Sequence, residues 1–198
     1  DNSGGTVNLH GGTVSYAGAY GSAIHNSSDG VLNIYSGAAV ESTESGDAVY
    51  TDTSGSVNIY GGTVESAGGT ALYNLGTANI TGGEVTSRST DYTVYNRGGT
   101  LTVGGSAEIY NTGTGYALQA DKDSIRGTVT HITGGTITAS NNAAVNISYF
   151  TGAADSSTEN NIYLSGTPAI TGGGSHADIY IDATSAGSIP AKLYANSQ

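Results

Sequence analysis

Gly55-Ser56-Val57-Asn58-Ile59-Tyr60-Gly61-Gly62-Thr63-Val64-Glu65-Ser66 recurs, with substitutions, along the whole chain. Upstream the same sentence reads Gly5-Thr6-Val7-Asn8-Leu9-His10-Gly11-Gly12-Thr13-Val14-Ser15, and downstream Gly76-Thr77-Ala78-Asn79-Ile80-Thr81-Gly82-Gly83-Glu84-Val85-Thr86. Looser copies begin at Gly30, Gly99 and Gly127, so successive starts lie 25, 25, 21, 23 and 28 residues apart. A period of this length is the mark of a solenoid, in which no repeat can bury its own apolar face without neighbours.

Each repeat carries three short apolar segments: in the third copy Val57-Asn58-Ile59, Thr63-Val64-Glu65 and Ala71-Leu72-Tyr73. Apolar and polar residues alternate with the period of a half-buried strand, and none of the segments has helical period. Gly61-Gly62 and Gly68-Gly69 separate them, as corners requiring positive φ would. Three strands and three corners per repeat predict an all-β fold, a right-handed parallel β-helix (solenoid) with three strands per rung and about seven rungs. With strands roughly 4.8 Å apart, the rod is on the order of 30 to 35 Å long.

Aligning the rungs predicts inward columns. One face gives Val7, Leu32, Val57, Ala78, Leu101 and Val129, with Leu9, Ile34, Ile59, Ile80, Val103 and Ile132 beside them. A second gives Val14, Val40, Val64, Val85 and Ile137, and a third Ile24, Val49, Leu72, Val94, Leu118 and Val145. β-Branched residues dominate, as stacked strands that bury one face prefer. Asn58, between two inward residues, is expected to face outward and to tolerate Ser.

The array reads as a single β-helix domain over 1–198, cut from a larger protein, with regular rungs over 4–147. Residues 148–198 read as a degenerate rung and a C-terminal cap, entered through a polar insertion that carries Tyr149 and Phe150. At the other end, the strand of Val7 and Leu9 has a rung on one side only. Asp1 to Ser3 are too few to fold back over it, which predicts that Val7, Leu9, Val14 and Ile24 show at an open end and that the chain self-associates end to end.

Only 5 Lys and Arg stand against 16 Asp and Glu, a net charge of −11. Such a surface repels phosphate backbones and anionic lipids, which argues against nucleic-acid binding, and no apolar run approaches a membrane span. The absence of Cys excludes disulfides and thiolate metal sites and suits an extracellular chain.

Two groups of side chains are candidate sites. Glu41 and Glu65 follow the inward valines of neighbouring rungs, with Glu44, Asp47 and Asp52 at adjacent corners. Clustered carboxylate oxygens are what Ca²⁺ requires, so calcium is the one cofactor the sequence suggests, though none is required. The second group is aromatic: 14 Tyr against one Phe and no Trp. Tyr50, Tyr73 and Tyr95 form one outward column, flanked by His25 and Gln119; Tyr35 and Tyr60 form another, flanked by His10 and Thr81. Such rows either offer ring faces to a pyranose or stack on one another. Asp121-Lys122-Asp123 reads as a solvated loop, Arg88 and Arg97 as ion-pair partners of Asp91, and Asn26, Asn74 and Asn96 as bonded to corner backbone groups.

The Gly-Thr-Val-Asn-Ile-Tyr-Gly-Gly-Thr-Val repeats resemble the right-handed parallel β-helices of the pectate-lyase-like superfamily. More narrowly, they are similar to repeat regions of adhesin-like bacterial surface proteins. The enzymes of that superfamily cleave acidic polysaccharides, but the Asp-Asp, Gly-His-Gly and Arg-Ile-Lys motifs of its hydrolases are absent here. Arg88, Arg97, Lys122, Arg126 and Lys192 lie on different rungs and corners. The resemblance therefore implies a non-catalytic, extracellular β-helix region of a bacterial cell-surface protein, serving as adhesion or spacer module, with glycans or host surface molecules as partners. A carbohydrate-binding module is the alternative, and a polysaccharide lyase or hydrolase the second alternative.

Overall fold

The computed structural model describes residues 1–123, 126–148, 159–181 and 192–195. Tyr149 and Phe150 lie outside the described residues. The fold is all-β: three parallel sheets wind into a β-solenoid of about 6 turns, consistent with the expected right-handed parallel β-helix of three strands per rung. The first sheet holds eight strands, from Thr6–Leu9 through Ser56–Ile59 to Lys192–Ala195, and the second seven, from Gly12–Tyr16 to Ala169–Thr171. The third holds eight, from Asn2–Ser3 through Asp47–Thr51 to Ile179–Ile181. Each strand pairs with its counterpart one repeat away, so the register is set rung against rung.

The inward columns form as the alternation requires. Val57 and Ile59 pair with Leu32 and Ile34 on one side and with Ala78 and Ile80 on the other, all fully buried. In the second sheet Ile109 fills the place between Val85 and Ile137, and in the third Ile24 through Val145 stack in the expected order. Full burial of each such side chain contributes about 1.5 to 3 kcal/mol.

One column is corrected. Val129 does not lie beneath Leu101; Thr130 does, with no exposed surface, while Val129 pairs with Thr100 on the outside. Leu101 and Val103 are two residues apart but Val129 and Ile132 are three, so both could not be inward, and the larger Ile132 holds its place under Val103. The Thr130 hydroxyl is accommodated because Asn96 Nδ2 donates to it at 3.0 Å.

Buried amides secure the corner between the third and first sheets, as expected for these asparagines. Asn26 Nδ2 donates to the carbonyls of Gly30 and Ser56, both at 2.9 Å, and Asn74 Nδ2 donates to Asn96 Oδ1 at 2.8 Å. The same device corrects the reading of the N-terminal end. Asn2–Ser3 does fold back, as a short strand against Asn26–Ser27, and Asn2 Nδ2 donates to Asn26 Oδ1 at 2.7 Å. Ile24 is consequently buried, while Val7, Leu9 and Val14 remain half-buried. At the other end Lys192–Ala195 is a strand paired with Asn161–Leu164, the last of the first sheet among the described residues.

Candidate functional site

The outward side chains of the rungs bond chiefly to one another. On the first sheet Asn8, Asn33, Asn58 and Asn79 stand in register. Asn33 Nδ2 donates to Asn8 Oδ1 at 2.8 Å, Asn58 to Asn33 at 2.9 Å and Asn79 to Asn58 at 2.9 Å. Asn58 does face outward, but as the middle of an amide ladder, so it is not the indifferent surface position the alternation suggested.

The tyrosine columns stack likewise. His10, Tyr35 and Tyr60 lie nearly parallel, with ring centroids 4.4 and 5.2 Å apart. On the third sheet Tyr50 stacks on Tyr73 at 5.0 Å, Tyr73 meets Tyr95 edge-on at 5.0 Å, and His25 sits edge-on to Tyr50 at 5.1 Å. Tyr92 adds to this row, 4.6 Å from Tyr95 and 6.4 Å from Tyr116. A third stack, His131, Tyr163 and Tyr194 at 4.8 Å spacings, escaped the sequence reading because its members lie in the irregular rungs. Rings at these separations pack largely on one another, and the Tyr73 and Tyr95 hydroxyls are bonded to Arg97 and Asp121.

The structure brings Glu41 and Glu65 together, in register on neighbouring strands and lining one shallow depression with Ser42, Thr43, Ala67 and Arg88. Arg88 Nη2 lies 3.9 Å from Glu65 Oε1, which makes Glu65, not Asp91, its partner. Asp47 and Asp52 do not join them. Asp47 opens a strand of the third sheet and its Oδ1 accepts the Thr70 N–H at 3.1 Å; Asp52 Oδ1 accepts the N–H of Thr53 at 2.6 Å. Among the described residues no three His, Asp or Glu side chains gather as a metal site would need.

Asp121-Lys122-Asp123 is not a solvated loop. Asp121 and Lys122 are buried, and Asp123 accepts from Arg126 Nε at 2.8 Å and Nη2 at 2.5 Å. Arg126 Nη1 also donates to the carbonyl of Leu75 at 2.9 Å, so the segment is clamped against the third rung. Arg97 stands in register with Asp121 and donates through Nη1 to the Tyr73 hydroxyl at 3.0 Å. Burial pushes the Asp121 carboxyl up to about 6, against the opposing pull of the Tyr95 hydrogen bond and the Arg97 charge. Burial also raises Asp47 to about 6, although the Thr70 N–H favours its charged form.

Asp47 opens onto a site that periodicity could not reveal. It lines a depression of about 320 Å³ with Gly21, Ser22, His25 and Tyr50. A second, of about 210 Å³, is lined by Ala19, Tyr20, Gly21, Ser45, Gly46 and Asp47. The two have Gly21 and Asp47 in common. The corner is tied down by Gly46 N–H donating to Gly18 C=O at 3.1 Å and Asp47 N–H to Gly21 C=O at 2.8 Å. Tyr16 donates its hydroxyl to the Tyr20 carbonyl. Tyr20 itself is 90% exposed, the most exposed large apolar side chain among the described residues, with none of the ring contacts of the tyrosine columns.

No known protein family, curated protein or solved structure matches the chain.

Proposed function

We propose that this chain is a non-catalytic rod of a bacterial cell-surface protein, a spacer that also carries an adhesive face. The observation that carries this reading is the use of outward side chains along the rod axis. Asn8, Asn33, Asn58 and Asn79 bond in one unbroken ladder, and the tyrosine columns stack beside their own strands. Residues committed to their neighbours one rung away stiffen the array, since stability in a solenoid is the sum of rung-to-rung contacts. The acidic surface, −11 overall, keeps such rods apart from one another and from anionic lipid.

Beads coated with the chain and offered to epithelial cells and to polysaccharide gels test both halves of the reading. They are expected to be retained while the polysaccharide keeps its length, with or without calcium. Release of shortened or unsaturated fragments overturns the non-catalytic assignment, and retention on no surface overturns the adhesive one.

A further inference from the structure

We propose that the outward face of the first sheet is the adhesive face of the rod and binds an uncharged polysaccharide, with the open side of the Tyr60 ring as its stacking platform. The inference rests on the adhesive half of the rod reading and names the face and the class of ligand.

Charge is distributed unevenly around the rod. Along the seven strands from Thr6–Leu9 to Asn160–Leu164, the outward positions hold no Asp, Glu, Lys or Arg. The second sheet carries Glu41, Glu65, Glu84 and Glu108 outward on four consecutive strands. A chain of net charge −11 thus keeps one sheet neutral over most of its length. A cationic polymer would be drawn to the glutamates, and an anionic one would be repelled by the rod as a whole. What suits the neutral sheet is an uncharged polymer rich in hydroxyl groups.

The sheet presents both kinds of contact that such a polymer makes. In the asparagine ladder each amide gives one N–H to its neighbour, so Asn33, Asn58 and Asn79 each keep a second for hydroxyl or ring oxygens. These donors repeat along the axis at the strand spacing of roughly 4.8 Å. At the end of the same strands Tyr60 closes the stack of His10, Tyr35 and Tyr60. Tyr35 covers one face of its ring at 5.2 Å and fixes the orientation; the other face has no ring contact among the described residues. The next two positions in that column are Thr81 and Gly104, whose N–H groups donate to the Ile59 and Ile80 carbonyls at 2.9 Å. Thr81 is exposed and Tyr60 is 49% exposed, so the open side of the ring stands over small residues. An electron-rich ring face held in place this way suits the C–H groups of a pyranose and spends little on ordering.

Size argues against a second copy of the rod as the occupant. Seven strands about 4.8 Å apart and roughly 13 Å long give on the order of 400 Å² of face. A stable protein–protein interface takes about 800 Å² from each partner. A polysaccharide needs no such area, because it can bond rung by rung.

Native electrophoresis in gels containing dextran, galactomannan or xyloglucan tests the face, with chitosan and polygalacturonate as charged controls. At least one neutral polymer is expected to retard the protein relative to polymer-free gels. Tyr60→Ala should weaken that binding at least tenfold, and so should Thr81→Tyr, which covers the open face without removing a ring. Thr77→Glu with Thr100→Glu, at exposed positions of the same sheet, should abolish it. The same two charges on the second sheet, Thr13→Glu with Thr63→Glu, should leave it unchanged. Thermal melts confirm that each variant keeps its fold. Silence with all three neutral polymers overturns the proposal, as does retardation that survives Tyr60→Ala and Thr81→Tyr, or Tyr60-dependent binding of either charged polymer. A dimer in sedimentation that Thr77→Glu with Thr100→Glu dissociates would give the face to a second copy and overturn it too. Beads still retained by cells when Tyr60→Ala is used would refute this face while leaving adhesion standing. Polysaccharide binding without bead retention would do the reverse.

Discussion

Tyr95 donates its hydroxyl to Asp121 Oδ2 at 3.2 Å across one rung, beside an arginine, Arg97, that stands in register with the same aspartate. The carboxylate thus has the Tyr95 hydroxyl and the Lys122 backbone N–H as donors and the Arg97 and Lys122 charges beside it, yet burial outweighs them all and holds its pKa at about 6. Tyr95 in turn is raised above the ordinary tyrosine value, first by burial and then by the Asp121 charge.

This arrangement makes stability depend on pH. Asp47 and Asp121 both titrate near 6 in the folded protein, against an ordinary value of 3.8. Their contribution therefore favours folding fully below about pH 4 and is lost as pH rises through 6. After allowance for solvent screening the loss is on the order of 1 kcal/mol for each. Thermal melts from pH 4 to 7 should show a falling Tm, and Asp121→Asn should flatten the slope. A slope unchanged in both Asp121→Asn and Asp47→Asn would contradict the assignment.

Ile59 is fully buried between Ile34 and Ile80. Ile59→Ala should cost about 2 to 4 kcal/mol, because strands paired on both sides cannot close the cavity. Denaturant unfolding measures it, and a loss below 1 kcal/mol would mean that the rungs collapse around the gap.

The asparagine ladder predicts a positional effect. Asn58→Ser removes one donated and one accepted bond, whereas Asn8→Ser at the end of the ladder removes one accepted bond. At about 0.5 to 1.5 kcal/mol per bond, Asn58→Ser should be the more costly by roughly one bond. Equal Tm shifts for the two variants would show that the ladder contributes nothing.

Two glycines with the same backbone sign separate conformation from close packing. Gly12 has φ +81 and open space where a Cβ would stand; Gly62 has φ +75, but its Cβ would lie 2.4 Å from the Ala38 carbonyl oxygen. Gly12→Ala should cost about 1 to 2 kcal/mol for the left-handed conformation alone. Gly62→Ala carries the same penalty plus a backbone clash between rungs, so it should be markedly worse in the same unfolding experiment. Comparable losses would place the strain in φ alone.

The sequence alone determined the solenoid, its three strands per rung and most of the core, because these depend on local alternation and on glycine corners. Val57, Ile59, Val64 and Leu72 could be assigned to the interior from their own neighbours in the chain. The facing of Tyr35 on Tyr60 and of Glu41 on Glu65 was legible too, since the repeats containing them keep one offset. The tertiary structure decided whatever depends on unequal corners. Thr130 displaced Val129 from the core because its strand gains a residue before Ile132. Asp121 and Lys122 are buried beside the Asp123–Arg126 pair, and Arg88 found Glu65 on the neighbouring rung instead of Asp91 close by in the chain. Tyr20 sits on a corner with no repeated counterpart, so only the path of the backbone brings it to the same depression as Asp47. Strand periodicity is a local property of the chain; the meeting of corner side chains is set by how far each rung turns before the next begins.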